Sequence, residues 1–205
     1  MKEGAPAQAG RARSQALDEA AGATTADVTD EALMLAYAGG DAGSFDALYD
    51  RHKGPLYRYF TRQLTESEAN DCFQNLWEKL IDNRDRYRPE GSFRSYLFTI
   101  AHNVLMDHYR KLGRIGADPQ TDPDELSSSV PGPETRRERS ELIGILHGLI
   151  RRLPNHQREA WLLRQETTFS TAEIARVTGT SEEGVKSRLR YAREKLKQGM
   201  ARYVE

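Results

Sequence analysis

The most concentrated chemistry in this sequence is a run of cationic side chains near its C-terminal end. Between residues 186 and 202 only Glu194 carries the opposite charge, and the cations are Lys186, Arg188, Arg190, Arg193, Lys195, Lys197 and Arg202. Clustered guanidinium and ammonium groups hold phosphates, and arginine can also pair with the O6 and N7 atoms of guanine. The formal net charge of the chain is only −1. The basic surface is therefore local, and it predicts a nucleic-acid interface.

The segment 169–196 has the pattern of a helix-turn-helix, which would position these cations. Ser170 followed three residues later by Glu173 is a capping box that starts a helix. Gly179 suits the turn, where a backbone with positive φ is often needed. Ser181 can then cap a second helix.

The second helix of this motif has one face for its partner helix and others for DNA. Val185 and Leu189, four residues apart, face the first helix. Such a helix enters the major groove and its first turns contact base edges. The alternative is an ordinary helical hairpin with a solvated basic face, but the coincidence of caps, turn glycine and charge favours DNA binding. The predicted contact residues are Ser181, Glu182, Lys186, Ser187, Arg188 and Arg190.

Other kinds of chemistry find little support in the sequence. The five histidines lack metal-ligand spacing, and no glycine-rich phosphate loop, nucleophile elbow or catalytic triad is visible. The single cysteine, Cys72, excludes an internal disulfide and a multi-cysteine zinc site. It falls on the apolar face of a predicted helix, as an inert core thiol would. We expect no enzymatic activity, no metal and no cofactor.

The elements that position these groups are predicted to be helices, because alternating β-branched runs are scarce and helix-favouring residues are plentiful. Residues 68–83 and 92–111 have clear amphipathic patterns. A charged turn, 84–91, separates them. Gly39 begins a turn between two earlier helical patterns, and Pro55 is compatible with a helix start.

The sequence divides into four parts. We predict a disordered tail at 1–28, a helical domain at 29–112, a flexible acidic linker at 113–138, and a second helical domain at 139–205. The fold class is therefore all-α, with two small domains. No stretch reaches the ~18 apolar residues of a membrane span, and the N-terminus lacks the apolar core of a secretory signal. We expect a cytoplasmic protein.

Four motifs carry a resemblance to a known family. They are DEALMLAYAGGDAGSFDALYDRH, EANDCFQNLWEKLIDNRDRY, GSFRSYLFTIAHNVLMDHYRK and, at the end of the helix-turn-helix, VKSRLRYAREKL. Residues 29–111 resemble the second conserved region of extracytoplasmic-function (ECF) sigma factors, and 149–197 resemble their fourth region. The resemblance implies an alternative sigma factor that binds core RNA polymerase, recognises and melts promoter DNA, and initiates transcription.

The resemblance also implies a polymerase-binding helix in the N-terminal domain. In the family this helix docks on the clamp helices of the largest polymerase subunit, and the matching positions here are Glu68, Asp71, Gln74 and Trp77. Asn70 and Asn75 stand where the family commonly has acidic residues. We therefore expect docking weaker than is usual in the family.

Two DNA sites follow from the same resemblance. The segment from Tyr87 to Asn103 matches the part of the family that melts the −10 element. Asn103 matches an asparagine at the base-reading loop, Tyr87 matches an aromatic beside that pocket, and Arg110 and Lys111 are placed to hold phosphates. The recognition helix would read the −35 element.

Two other functions remain open at this point. A helix-turn-helix transcriptional regulator with an N-terminal effector or dimerisation domain would share the C-terminal motif, and a protein that sequesters a sigma factor would share the helical composition. The aromatic-rich domain with Asn103 and the acidic helix that would face polymerase favour the sigma factor over both. The resemblance also leaves room for an anti-sigma factor or another regulator as a partner.

Overall fold

The computed structural model describes residues 28–113, 134–201 and 203. This part of the chain contains eight α-helices and no strand, which confirms the all-α prediction. The helices are α1 (Asp30–Ala38), α2 (Ala42–Thr61), α3 (Glu66–Asp82), α4 (Phe93–Lys111), α5 (Glu134–Arg151), α6 (Asn155–Glu166), α7 (Thr171–Val177) and α8 (Glu182–Met200). A 3₁₀ turn, Arg84–Arg86, lies between α3 and α4. None of the helices described is long and apolar enough to cross a bilayer.

Helices α1–α4 form an N-terminal bundle around an apolar core. The apolar stripe of α3, with Cys72, Leu76 and Leu80, is buried in it. Leu97 and Leu105 of α4 are fully buried in the same core. Burial raises the pKa of the Cys72 thiol to about 11, as expected for an inert core thiol.

Helix α1 is fixed to this bundle by carboxylates. Asp30 accepts hydrogen bonds from Arg51 and from the His52 ring, each at 2.7 Å. The His52 bond is the main reason that the pKa of Asp30 lies below its ordinary value. Glu31 accepts a hydrogen bond from the backbone N–H of Phe93 at 2.6 Å, at the first turn of α4.

Pro55 lies inside α2 and does not begin a new helix. A proline ring normally clashes with the preceding residue and removes a backbone donor. Here the preceding residue is Gly54, which has no Cβ to clash. Leu48 before Pro55 and Leu56 after it are fully buried, so core packing offsets the lost hydrogen bond.

Helices α5–α8 form the C-terminal bundle. α5 begins at Glu134, so residues 134–138 are helical where the sequence predicted linker. The rest of the predicted linker, 114–133, lies outside the described residues, as does the predicted tail before Val28. Pro154 precedes α6 at its N-cap position. α5 also contacts α8, where Gly199 faces Leu149 closely.

Candidate nucleic-acid and polymerase interfaces

The helix-turn-helix forms through the local signals that predicted it. The Ser170 hydroxyl accepts from the backbone N–H of Glu173 at 3.2 Å, and the Glu173 carboxylate accepts from the N–H of Ser170 at 2.8 Å. These bonds lower the pKa of Glu173, the backbone one most. Gly179 has a φ of 61°, and the Ser181 hydroxyl accepts from the N–H of Gly184 at 3.1 Å. The predicted capping box, turn and second cap are confirmed.

The apolar residues of the recognition helix α8 pack into the core, and most of its polar residues lie at the surface. Val185 is fully buried, and Leu189 packs against the same core. Of the six predicted contact residues, four are exposed and two are half-buried. The exposed ones are Ser181, Glu182, Lys186 and Arg190, and the half-buried ones are Ser187 and Arg188.

The three cations on the first turns of α8 differ in their surroundings. Lys186 lies 3.3 Å from a Glu183 carboxylate oxygen. The Arg190 guanidinium lies over the Tyr191 ring, 4.9 Å from its centroid. Within the described residues the guanidinium of Arg188 has neither a carboxylate nor a ring partner. Arg188 is therefore the cation with most freedom to bind DNA.

The sequence did not single out Tyr191, which is 47% exposed beside these cations. An exposed ring on a basic helix can stack on Arg190 and hold its guanidinium at the surface. The signal was present in the sequence, because Tyr191 lies two residues after the seam residue Leu189 and so falls outside the buried stripe.

The polar face of α3 contains exposed side chains, and some of its side chains bond to other residues of the same helix or its cap. Asp71 and Gln74 are exposed, and Gln74 donates a hydrogen bond to the exposed Glu78 at 2.8 Å. Glu68 instead caps its own helix through Thr65 and lies 3.2 Å from the His108 ring of α4. Burial acts to raise the pKa of Glu68, but the bonds from Thr65 and His108 outweigh it, so this pKa lies below its ordinary value.

Trp77 does not lie on the exposed face, which corrects the expectation that it contributes to docking. Its side chain is in the core, with only 6% of the residue exposed. The ring packs against Phe45, Tyr49 and Phe73, with centroids 4.9–6.0 Å apart. Trp77 sits next to the buried Leu76 on the inward side of the helix, so it supports the polar face of α3 from beneath.

The aromatic beside the proposed base pocket is also buried. Tyr87 is 3% exposed and packs against Phe93 and Tyr96. Burial, followed by the nearby Glu31 charge, raises the pKa of Tyr87 to about 12. The expectation that this ring is open to an unpaired base is corrected: Tyr87 forms part of the wall that supports α4.

The other predicted −10 residues lie at the surface of α4. Asn103 is exposed, so its amide can reach a base edge. Arg110 and Lys111 are exposed at the end of the helix, where Arg110 is 2.7 Å from a carboxylate oxygen of Asp107. A phosphate would compete with Asp107 for Arg110.

Comparison with known proteins matches both bundles. Residues 48–115 match the family model Sigma-70 region 2, and residues 143–196 match the model Sigma-70, region 4. The ECF RNA polymerase sigma factor EcfG of Rhodopseudomonas palustris is 31% identical over 144 residues, covering 69% of this chain and 77% of that protein. The chain belongs to the ECF sigma factor family. It is an alternative sigma factor, a transcription initiation factor from a family whose members are not enzymes.

Three further proteins extend the likeness. The ECF sigma factor SigM of Mycobacterium tuberculosis is 28% identical, with 82% of this chain and 83% of that protein covered. CnrH, solved in complex with the cytosolic domain of CnrY, has the same fold with a TM-score of 0.60 at 24% identity, covering 82% of this chain and 95% of that chain. RpoE of Bartonella quintana, solved with the anti-sigma factor NepR, has a TM-score of 0.60 at 22% identity, covering 77% of this chain and 96% of that chain.

Proposed function

We propose that this ECF sigma factor binds core RNA polymerase through the polar face of α3, melts the −10 element with α4 and reads the −35 element with α8. The observation that carries the proposal is that α8 has one buried apolar side and one exposed cationic side. Its seam residue Val185 is fully buried, while Lys186 and Arg190 are exposed on the turns that follow the Ser181 cap. This arrangement fits a helix inserted into the major groove. Because core polymerase acts on the chromosome, we place the protein in the cytoplasm.

The polymerase contact rests on Asp71 and Gln74, which are three residues apart and share one exposed face of α3. A basic partner surface would meet this face through charge pairs that raise the association rate and fix orientation. Asn70 and Asn75 dilute the charge. Docking should therefore be modest in strength and sensitive to salt.

Base capture in the melted strand is assigned to Asn103. Its amide presents both a donor and an acceptor, which suits an exposed Watson–Crick edge. Arg110 and Lys111 would hold the backbone near the far end of the same helix. An anti-sigma factor is a further partner that we propose, because the similar RpoE of Bartonella quintana was solved with one.

In vitro transcription from a genomic fragment library, with core RNA polymerase of the source bacterium, tests the function directly. Defined start sites should appear only when the protein is added. A conventional helix-turn-helix regulator would instead bind DNA without the polymerase and give no new start sites.

The docking face has its own test, a titration of labelled protein with core polymerase followed by fluorescence anisotropy at two salt concentrations. Asp71→Ala and Gln74→Ala should weaken binding, and Asn75→Glu should tighten it. Asp46→Ala, which removes an exposed carboxylate from α2, is the matched control. Circular dichroism checks folding. If both α3 variants bind like the parent, the docking face lies elsewhere.

A further inference from the structure

Tyr191 is an exposed aromatic residue on the recognition helix. Every residue of α8 is described, and its other large apolar side chains are buried or half-buried: Val185, Leu189, Leu196 and Met200. Tyr191 is instead 47% exposed. An aromatic ring stabilises a protein or a complex mainly through the area that it buries. The Tyr191 ring is therefore available to a partner outside this chain.

The spacing of Tyr191 places it on the outward side of α8. The inward stripe of the helix consists of three buried residues, Val185, Ala192 and Leu196. Arg190 lies three residues after Ser187 and Tyr191 lies four after it, so these three residues share one stripe. At 3.6 residues per turn, this second stripe lies opposite the inward one. Tyr191 thus shares its side of the helix with two residues that the sequence predicts as DNA contacts.

Arg190 covers one face of the Tyr191 ring in the free protein. Its guanidinium lies 4.9 Å from the ring centroid, and the arginine is itself exposed. A cation held over a ring at an exposed site is bound weakly. When Arg190 turns towards DNA, it uncovers that face of the ring. The ring then lies at the surface of α8 that would enter the groove.

The major groove offers an aromatic ring one kind of apolar partner. The base edges present hydrogen-bond donors and acceptors there, and the apolar group among them is the 5-methyl group of thymine. A ring placed against a polar base edge would displace water without replacing its hydrogen bonds. A ring placed against the methyl group buries apolar surface on both sides. The chemistry of the groove therefore favours a thymine opposite Tyr191.

We propose that Tyr191 is a further specificity-determining residue of α8, whose ring packs on the 5-methyl group of a thymine in the −35 element. This inference rests on the proposed function, since it needs α8 in the major groove. Arg188 and Arg190 distinguish bases through hydrogen bonds. Tyr191 adds discrimination by apolar contact, and it selects thymine against cytosine, which has an amino group and no methyl group at this edge.

The test removes the methyl group from the DNA and the ring from the protein. Polymerase holoenzyme containing the full-length protein is bound to a promoter obtained from the fragment library, and affinity is measured by fluorescence anisotropy. Each thymine of the −35 element, on either strand, is replaced in turn by uracil. Uracil lacks the methyl group and keeps the other groups that thymine presents in the groove.

The protein variants separate the ring from the hydroxyl group. Tyr191→Ala and Tyr191→Gln both remove the ring, and the glutamine keeps a long polar side chain. Tyr191→Phe keeps the ring and removes the hydroxyl. The matched control is Tyr203→Ala, which removes a tyrosine that is 54% exposed in the same domain but lies beyond the end of α8. Circular dichroism checks the folding of each variant.

One uracil substitution should weaken binding of the parent by about fourfold, the effect of losing one buried methyl group. Tyr191→Phe and the Tyr203→Ala control should show the same loss. Tyr191→Ala and Tyr191→Gln should bind the unmodified promoter at least about fourfold more weakly than the parent. Both should be insensitive to that uracil.

Three results would overturn the inference and leave the proposed function intact. The first is a parent whose binding no uracil weakens. The second is a Tyr191→Phe variant that binds every sequence more weakly by the same factor, because the hydroxyl would then hold a phosphate. The third is a ring-less variant that keeps the uracil sensitivity of the parent, because the ring would then act only by positioning Arg190. A parent holoenzyme that does not select the promoter over unrelated DNA would refute the proposed function and, with it, the role of Tyr191.

Discussion

Arg188 should carry most of the sequence discrimination of α8. Its guanidinium has no carboxylate or ring partner within the described residues, so binding DNA breaks no ion pair or ring contact of Arg188 there. Lys186 must leave an exposed pair with Glu183, worth about 0.3–0.5 kcal/mol. Arg190 must leave the Tyr191 ring, worth about 0.5–1 kcal/mol at an exposed site. A bidentate arginine–guanine contact contributes about 1–3 kcal/mol. Arg188→Ala should therefore weaken binding to the cognate site by about 5- to 150-fold.

The assay is fluorescence anisotropy of polymerase holoenzyme on a promoter obtained from the fragment library. Single-base variants of the −35 element are compared at several salt concentrations. Arg188→Ala should flatten the preference at one base pair and leave the others unchanged. Lys186→Ala should weaken binding to all sequences alike and reduce the slope of log affinity against log salt concentration by about one. If Arg188→Ala weakened every sequence equally, or changed nothing, the assignment of Arg188 to a base would be refuted.

Three further predictions concern other parts of the molecule. Asn103→Ala should reduce permanganate-reactive thymines in the melted region with core binding unchanged; an undiminished signal would exclude base capture. Gly199→Ala places a Cβ 2.6 Å from Leu149 and should lower the free energy of unfolding, measured with urea, by about 0–2 kcal/mol. Gly148→Ala has open space around the new Cβ and should raise that free energy by about 0.5–1 kcal/mol. A Gly199→Ala variant more stable than Gly148→Ala would contradict the packing. Asp30→Asn should cost about 1–2 kcal/mol at neutral pH. Because the pKa of Asp30 is lowered by folding, that difference should shrink as pH falls below 3.8, and a constant difference would exclude the ion pairs as its cause.

Local signals predicted the helix-turn-helix well. A capping box, a turn glycine and an apolar pair four residues apart each act within a few residues of the chain, so the sequence displays them directly. The seam at Val185 and the exposure of Lys186 follow from the same spacing. The helix that carries the predicted DNA contacts was predictable for that reason.

Tertiary packing decided what the sequence could not show. The resemblance predicted partner contacts for Trp77 and Tyr87, yet both side chains are buried, Trp77 against Phe45 and Tyr49 and Tyr87 against Phe93 and Tyr96. Glu166 meets Arg58 across 108 residues, and Glu159 meets His102 across 57. No periodicity links residues so far apart. Pro55 shows the same limit, because a local rule for helix starts yields to the buried residues on either side of it.

The bond between Glu31 and Phe93 has a consequence for how this sigma factor can be divided. The match to region 2 begins at residue 48, but Glu31 accepts from the first backbone N–H of α4. A recombinant fragment cut at residue 48 would lose α1 and leave that donor, and the Arg51 and His52 side chains, without these partners. The smallest autonomous fragment for biophysical work on the promoter-melting domain should therefore start at or before Thr29, which caps α1.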